Sequence, residues 1–185
     1  PNASVIATSG NVVAIAGPDK VFVYELLDEW KEQQTISFLG AVSLSLNADG
    51  SVLAITGTTT VIYKKDGPTR RQMPIENSAG TYVELNNDGS VVLVVDNTHV
   101  HVYTLSRYKP LEYVQYRYEK SYQEVGLTAS MSGDGKVVSV GSDTKTSVHK
   151  MMYQVKTNGD CTSPINNPEE CEAAAAELGY SFLNT

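Results

Sequence analysis

The chain has 185 residues, of which 14 are Lys or Arg and 21 are Asp or Glu, giving a formal charge of −7 with 41% hydrophobic residues. That apolar fraction excludes a disordered chain and leaves room for one cored domain, or a domain with a small appendage. The acidic balance argues against a nucleic-acid partner, which requires concentrated Lys and Arg, and no run approaches the roughly 18 to 20 apolar residues of a membrane span.

In chain order, Asn2-Ala3-Ser4 meets the N-glycosylation rule and makes Asn2 a candidate acceptor. With a start at Pro1 and no charged-then-apolar leader, we expect a processed mature protein or a fragment. Thr8-Ser9-Gly10-Asn11 then leads into Val12-Val13-Ala14-Ile15-Ala16-Gly17, which matches Val52-Leu53-Ala54-Ile55-Thr56-Gly57 position for position. Val42, Leu44 and Leu46 alternate along a half-buried strand that enters the turn Asn47-Ala48-Asp49-Gly50. Val83 and Leu85 do the same before Asn86-Asn87-Asp88-Gly89, and Ser132-Gly133-Asp134-Gly135 is a further copy of that turn. The strands leaving these turns, Val52–Ile55, Val91–Val95 and Val137–Val140, are apolar on both faces, as strands covered from two sides should be. A third strand follows in each unit at Val21–Tyr24, Val61–Tyr63, Val100–Tyr103 and Ser147–His149. Outer strands are expected at Thr35–Phe38, Gln72–Ile75, Tyr113–Tyr118 and Met152–Val155.

Gly10, Gly50, Gly89 and Gly135 step by 40, 39 and 46 residues. A period of about 40 to 50 residues built of short strands is that of a β-propeller blade, which hides its apolar faces only by stacking on its neighbours. We therefore expect an all-β chain with about four blades over residues 1–157, in units of about 3–40, 41–79, 80–125 and 126–157. The array is read as part of a larger ring or as packed on another chain, with a compact four-bladed ring as the alternative.

The run Val42 to Ile55, closing in an aliphatic-Tyr strand at Ile62-Tyr63, resembles the integrin-type FG-GAP and related propeller repeats of secreted proteins, over most of residues 3–155. The Phe-Gly and Gly-Ala-Pro signatures are absent, with only Gly17-Pro18 echoing the latter, and no Trp-Asp or Gly-His pair points to WD repeats.

Residues 158–185 read as a separate tail with a helix over 168–178. Asn167 suits the cap, Pro168 the first turn, Glu169 and Glu170 the positive end, Ala173–Ala176 the body and Gly179 the stop. Cys161 and Cys171, the two cysteines of the chain, lie in this tail. They favour a disulfide in an oxidising compartment, whether with each other or with a residue further along, while free thiols suit a cytosolic one. The tail is similar to short cysteine-containing repeats of algal and protist extracellular proteins.

The acidic turns invite a calcium reading, because Glu84-x-Asn86-x-Asp88-Gly89 spaces oxygen donors two apart before a glycine. Six residues beyond each glycine, however, stand Thr56, Val95 and Gly141 where a bidentate carboxylate is needed. Asp49, Gly50, Asp88, Gly89, Asp134 and Gly135 are accordingly assigned to hairpin geometry. His99 and His101 share a strand face and Asp96 is the nearby carboxylate, but with too few ligands they read as half-exposed blade residues, and no metal is expected. Tyr113, Tyr116 and Tyr118 crowd around Arg117, a composition suited to protein interfaces and sugar stacking, or equally to tyrosines covering a blade edge.

No nucleophile elbow, phosphate-cradling loop or His-Glu-x-x-His helix occurs. The reading that follows is a non-enzymatic, secreted structural or adhesive protein without cofactors, a subunit of a larger filament or coat. Its partners are other chains or copies of itself, with glycans as a further candidate. The alternatives are a carbohydrate-active propeller enzyme and an intracellular interaction scaffold.

Overall fold

A computed structural model describes residues 5–73, 75, 79–105, 113–121, 127–142 and 145–150, the stretch 113–121 for its backbone alone. Outside them fall Asn2, both cysteines, the expected helix over 168–178 and the expected outer strand Met152–Val155. Among the described residues there are strands and no helix. The first sheet comprises β1 (Val5–Ser9), β2 (Val12–Ala16), β3 (Lys20–Leu26) and β4 (Trp30–Ser37). The second holds β5 (Ser43–Leu46), β6 (Val52–Thr56), β7 (Thr60–Asp66) and β8 (Thr69–Met73). The third holds β9 (Tyr82–Leu85), β10 (Val91–Val95), β11 (His99–Leu105) and β12 (Tyr113–Ser121), and the fourth β13 (Thr128–Met131), β14 (Val137–Gly141) and β15 (Thr146–Lys150). Each sheet is an antiparallel meander in chain order. These are stacked blades of the β-propeller type.

Three apolar clusters lie between successive blades. Val21 and Val23 of the first meet Leu44, Leu53 and Ile55 of the second. Val52, Ala54 and Ile62 on the second blade's other face meet Val83, Val92 and Val94. Leu93, Val100 and Val102 then meet Met131, Val138 and Val140. β10 and the Val52–Ile55 run of β6 are thus covered on both sides, as their sequences required, whereas β14, for which the same was expected, buries only Val138 and Val140 on one face. No cluster joins the fourth blade to the first among the described residues.

Two further expectations need correction. Val42 does not join Leu44 inside; it precedes β5 and is 51% exposed, its N–H bonded to Thr56 O. The outer strands of the first two blades begin earlier than their apolar residues suggested, at Trp30 and Thr69, because edge positions beside solvent tolerate runs such as Lys31-Glu32-Gln33-Gln34.

The Asp-Gly turns join blade to blade. Ala48 N donates to Asn87 O at 3.0 Å and Asn87 N to Gly133 O at 2.8 Å, while Ser9 Oγ donates to Ala48 O at 2.7 Å. Buried Asn47 accepts Val52 N on its amide oxygen at 2.8 Å, and Asn86 accepts Val91 N at 2.9 Å; in the fourth blade Ser132 Oγ takes Val137 N. The turn glycines Gly50, Gly89 and Gly135 have φ of 69°, 73° and 73°, a left-handed conformation that glycine adopts without strain.

Candidate functional site

The innermost strands carry polar groups that no periodicity singled out. Ser43 Oγ and Ser45 Oγ of β5 accept the N–H of Val83 and Leu85 in the next blade's β9. In β9 the residue equivalent to Ser45 is Glu84, and its carboxylate accepts Met131 N of β13 at 2.9 Å and the Tyr82 hydroxyl at 3.2 Å. Burial first, and then the Glu84 charge, push the Tyr82 phenol up to about 12. Arg70 donates to Gly50 O and Ser51 O of its own second blade, while its backbone N–H donates to Gln34 Oε1 of the first, and Lys65 of the second pairs with Glu25 of the first at 2.9 Å. The signal that could have located Ser43, Ser45 and Glu84 is a polar residue alternating with aliphatic ones on the first strand of a blade.

The two end blades expose what the inner blades bury. Ile6, paired with Ile15, occupies the position of Leu44, paired with Ile55, and of Val83, paired with Val94. Ile6 is 58% exposed, against 8% for Leu44 and 1% for Val83. At the far end Val148, paired with Ser139, matches Val23, Ile62 and Val102. It is 68% exposed where those three are at most 1% exposed.

Of the tyrosine-rich segment, the structure gives β12 as backbone. Tyr113 pairs with Leu105 and Tyr116 with Val102, and the next pair is Glu119 with His101, so Arg117 and Tyr118 fall in a bulge. Register thus gathers Tyr113, Tyr116, Tyr118 and Arg117 on the outermost strand of the third blade.

The same blade carries a cluster of possible metal ligands at the turn between β10 and β11. Asp96 Oδ1 accepts the N–H groups of Thr98 and His99, each at 2.7 Å. His101 Nε2 lies 3.3 Å from Asp96 Oδ2, and His99 Nδ1 lies 3.5 Å from Asp96 Oδ1 and 2.8 Å from Thr98 Oγ1. The two imidazoles stack with centroids 5.6 Å apart. Partial burial raises the Asp96 carboxyl, but the two backbone N–H bonds and the adjacent histidines outweigh it and hold the group below its ordinary value. Donor atoms of all three residues fall within 4.8 Å of one another, each half-buried and reachable from solvent. The strand spacing of the histidines was legible; what brings Asp96 under both rings is the turn, in which Asp96 N bonds back to His99 O.

The calcium pattern is not assembled. Asp49 Oδ1 and Asp88 Oδ1 bond Ser51 N and Ser90 N within their own turns, and Glu84 is engaged with Met131 in the neighbouring blade.

No protein-family model matches the sequence, and no curated protein matches it. Among solved structures, Hsv2 of Kluyveromyces lactis superposes with a TM-score of 0.64 at 15% identity, over 80% of this chain and 48% of that one. Hsv2 of Kluyveromyces marxianus gives 0.62 at 16% identity, over 85% and 49%. Hydrazine synthase of Kuenenia stuttgartiensis gives 0.59 at 12% identity, over 80% and 45%. At such identities the likeness is one of fold, that of propeller-like all-β proteins, and the chain spans about half the length of each.

Proposed function

We propose that this chain is a non-enzymatic structural or adhesive propeller segment whose two end faces dock further blades, supplied by another copy of itself. The observation that carries this reading is the pair of uncovered positions, Ile6 and Val148, whose equivalents inside the array are sealed. An apolar blade face left in water forfeits roughly 25 cal/mol for each Å² that a neighbour would cover, so association is the favoured outcome. The likeness to solved structures is in keeping with it, since a four-blade array maps onto about half of each.

An extracellular setting, in a filament or coat, is supported by the resemblance of the repeats to FG-GAP-type blades and of the tail to cysteine-containing repeats of secreted proteins. The Asn2 triplet and the cysteines Cys161 and Cys171 suit an oxidising, glycosylating compartment. In this reading the tyrosines and Arg117 of β12 form a lateral contact along the assembly.

Light scattering across a concentration series tests the docking. Self-association is expected for the native chain and is expected to be lost on Ile6→Glu with Val148→Glu, which place charge on both faces without touching the buried clusters. A native chain that stays monomeric throughout, or a double variant that associates as well as the native chain, overturns the reading.

A further inference from the structure

We propose that Asp96, His99 and His101 form a binding site for one borderline divalent transition-metal ion, of which zinc is the type, with a coordination position left open to solvent.

Ligand chemistry comes first. Two imidazoles and one carboxylate are the donor set that zinc and its neighbours in the first transition row accept, and three protein ligands leave an exchangeable fourth place. Geometry agrees. Bonds of about 2.0 to 2.2 Å in a tetrahedron set donor atoms about 3.3 to 3.6 Å apart. Each imidazole already stands at such a distance from one oxygen of the carboxylate, His101 Nε2 at 3.3 Å from Oδ2 and His99 Nδ1 at 3.5 Å from Oδ1, and one donor atom from each residue lies within 4.8 Å of the other two.

The site is also held in place before any ion arrives. Asp96 is fixed by the backbone N–H groups of Thr98 and His99, and Thr98 Oγ1 lies 3.3 Å from the same carboxylate oxygen. Outer partners that orient a ligand in this way belong to the design of metal sites. His101 is anchored at mid-strand, its register set by Val94 on one side.

The blade does not need these residues, and this observation separates a ligand cluster from ordinary turn chemistry. The same turn closes in the first, third and fourth blades, with Gly17 N bonded to Lys20 O, Asp96 N to His99 O and Ser142 N to Lys145 O, and a turn one residue shorter closes the second, with Gly57 N bonded to Thr59 O. At the places of Asp96 and His101 the siblings carry Gly17 and Phe22, Gly57 and Val61, and Ser142 and Ser147. Neither carboxylate nor imidazole is therefore required to build the hairpin, and only the third blade brings two imidazoles onto one carboxylate.

The inference does not depend on the docking proposed above. Its test uses the full chain with the cysteines alkylated, so that thiols do not compete for metal. Calorimetric titration with zinc should give one saturable equivalent, and cobalt in its place should develop the intense visible bands of a tetrahedral site. His99→Gln and His101→Gln should each weaken zinc at least about tenfold, the scale on which even outer partners matter. His149→Gln, the chain's third histidine, should leave binding unchanged. Zinc should also raise the thermal midpoint of the native chain but not that of the His99→Gln, His101→Gln double variant. His99 is half-exposed, so its single variant remains a valid reading if the double variant fails to fold. Absence of saturable zinc uptake by the folded native chain overturns the proposal, as does undiminished affinity in the His99→Gln variant.

Discussion

At Gly89 two demands fall on one atom that is not there. Its φ of 73° is a conformation that side chains resist, and a Cβ built on it would stand 2.7 Å from Val52 Cγ2 of the preceding blade. Gly67 has a similar φ, 63°, but meets nothing within 4 Å. Gly67→Ala should therefore cost about 1 to 2 kcal/mol for the backbone alone. Gly89→Ala should cost more, about 2 to 4 kcal/mol, because Val52 must also move. Urea unfolding of the two variants measures the difference, and equal losses would show that the stacking contact is unimportant. The residue scale also shows where sequence reasoning stopped short. His99 and His101 were readable as a same-face pair because strand alternation is fixed, whereas the approach of Asp96 depends on a turn whose closure alternation does not encode.

Glu84 does for the third and fourth blades what Ser45 does for the second and third: an inner strand offers a side-chain acceptor to a backbone N–H of the next blade. Removing that acceptor leaves Met131 N without it at a part-buried position, so Glu84→Ala should lose about 1 to 3 kcal/mol. Glu84→Gln, which keeps a carbonyl oxygen, should lose less. Hydrogen exchange at the Met131 amide is the local readout, and an amide equally protected in Glu84→Ala would discount the contact. Strands flanking the Asp-Gly turns were legible in the sequence because their apolar residues are packed between blades. Outer strands were legible only in part. β4 and β8 start within polar stretches, where pairing is set by the backbone ladder and solvent accepts any side chain. Val42 misled for the opposite reason: an aliphatic residue in phase with Leu44 lies one position before the strand begins.

Across the molecule, the repeated turns make acid sensitivity a shared property. The hydroxyls of Ser51, Ser90 and Ser132 lead in holding the Asp49, Asp88 and Asp134 carboxyls below the ordinary 3.8, with backbone N–H bonds adding to it and burial opposing. A carboxyl depressed in the folded chain stabilises it above the unfolded value and loses that contribution as pH falls through the folded one. The thermal midpoint should therefore be level in this respect near neutrality and fall below about pH 4, the unfolded range. Asp88→Asn should lie lower at neutral pH and show a shallower acid fall, and an unchanged slope would remove the turn carboxylates as its cause. The same repetition made the architecture readable from glycine spacing, while blade number and what covers the end faces are not encoded in any one unit.

The stitch that runs Ser9, Ala48, Asn87, Gly133 has a genetic corollary. Each module is fastened to the one before it by the same small set of handholds, so a duplicated module would find its fittings already cut, and lengthening by tandem copying would keep the curvature intact. An insertion inside one of these tight loops would instead unpick the seam on both sides at once. Length variation among descendants of such a gene should accordingly spare these turns.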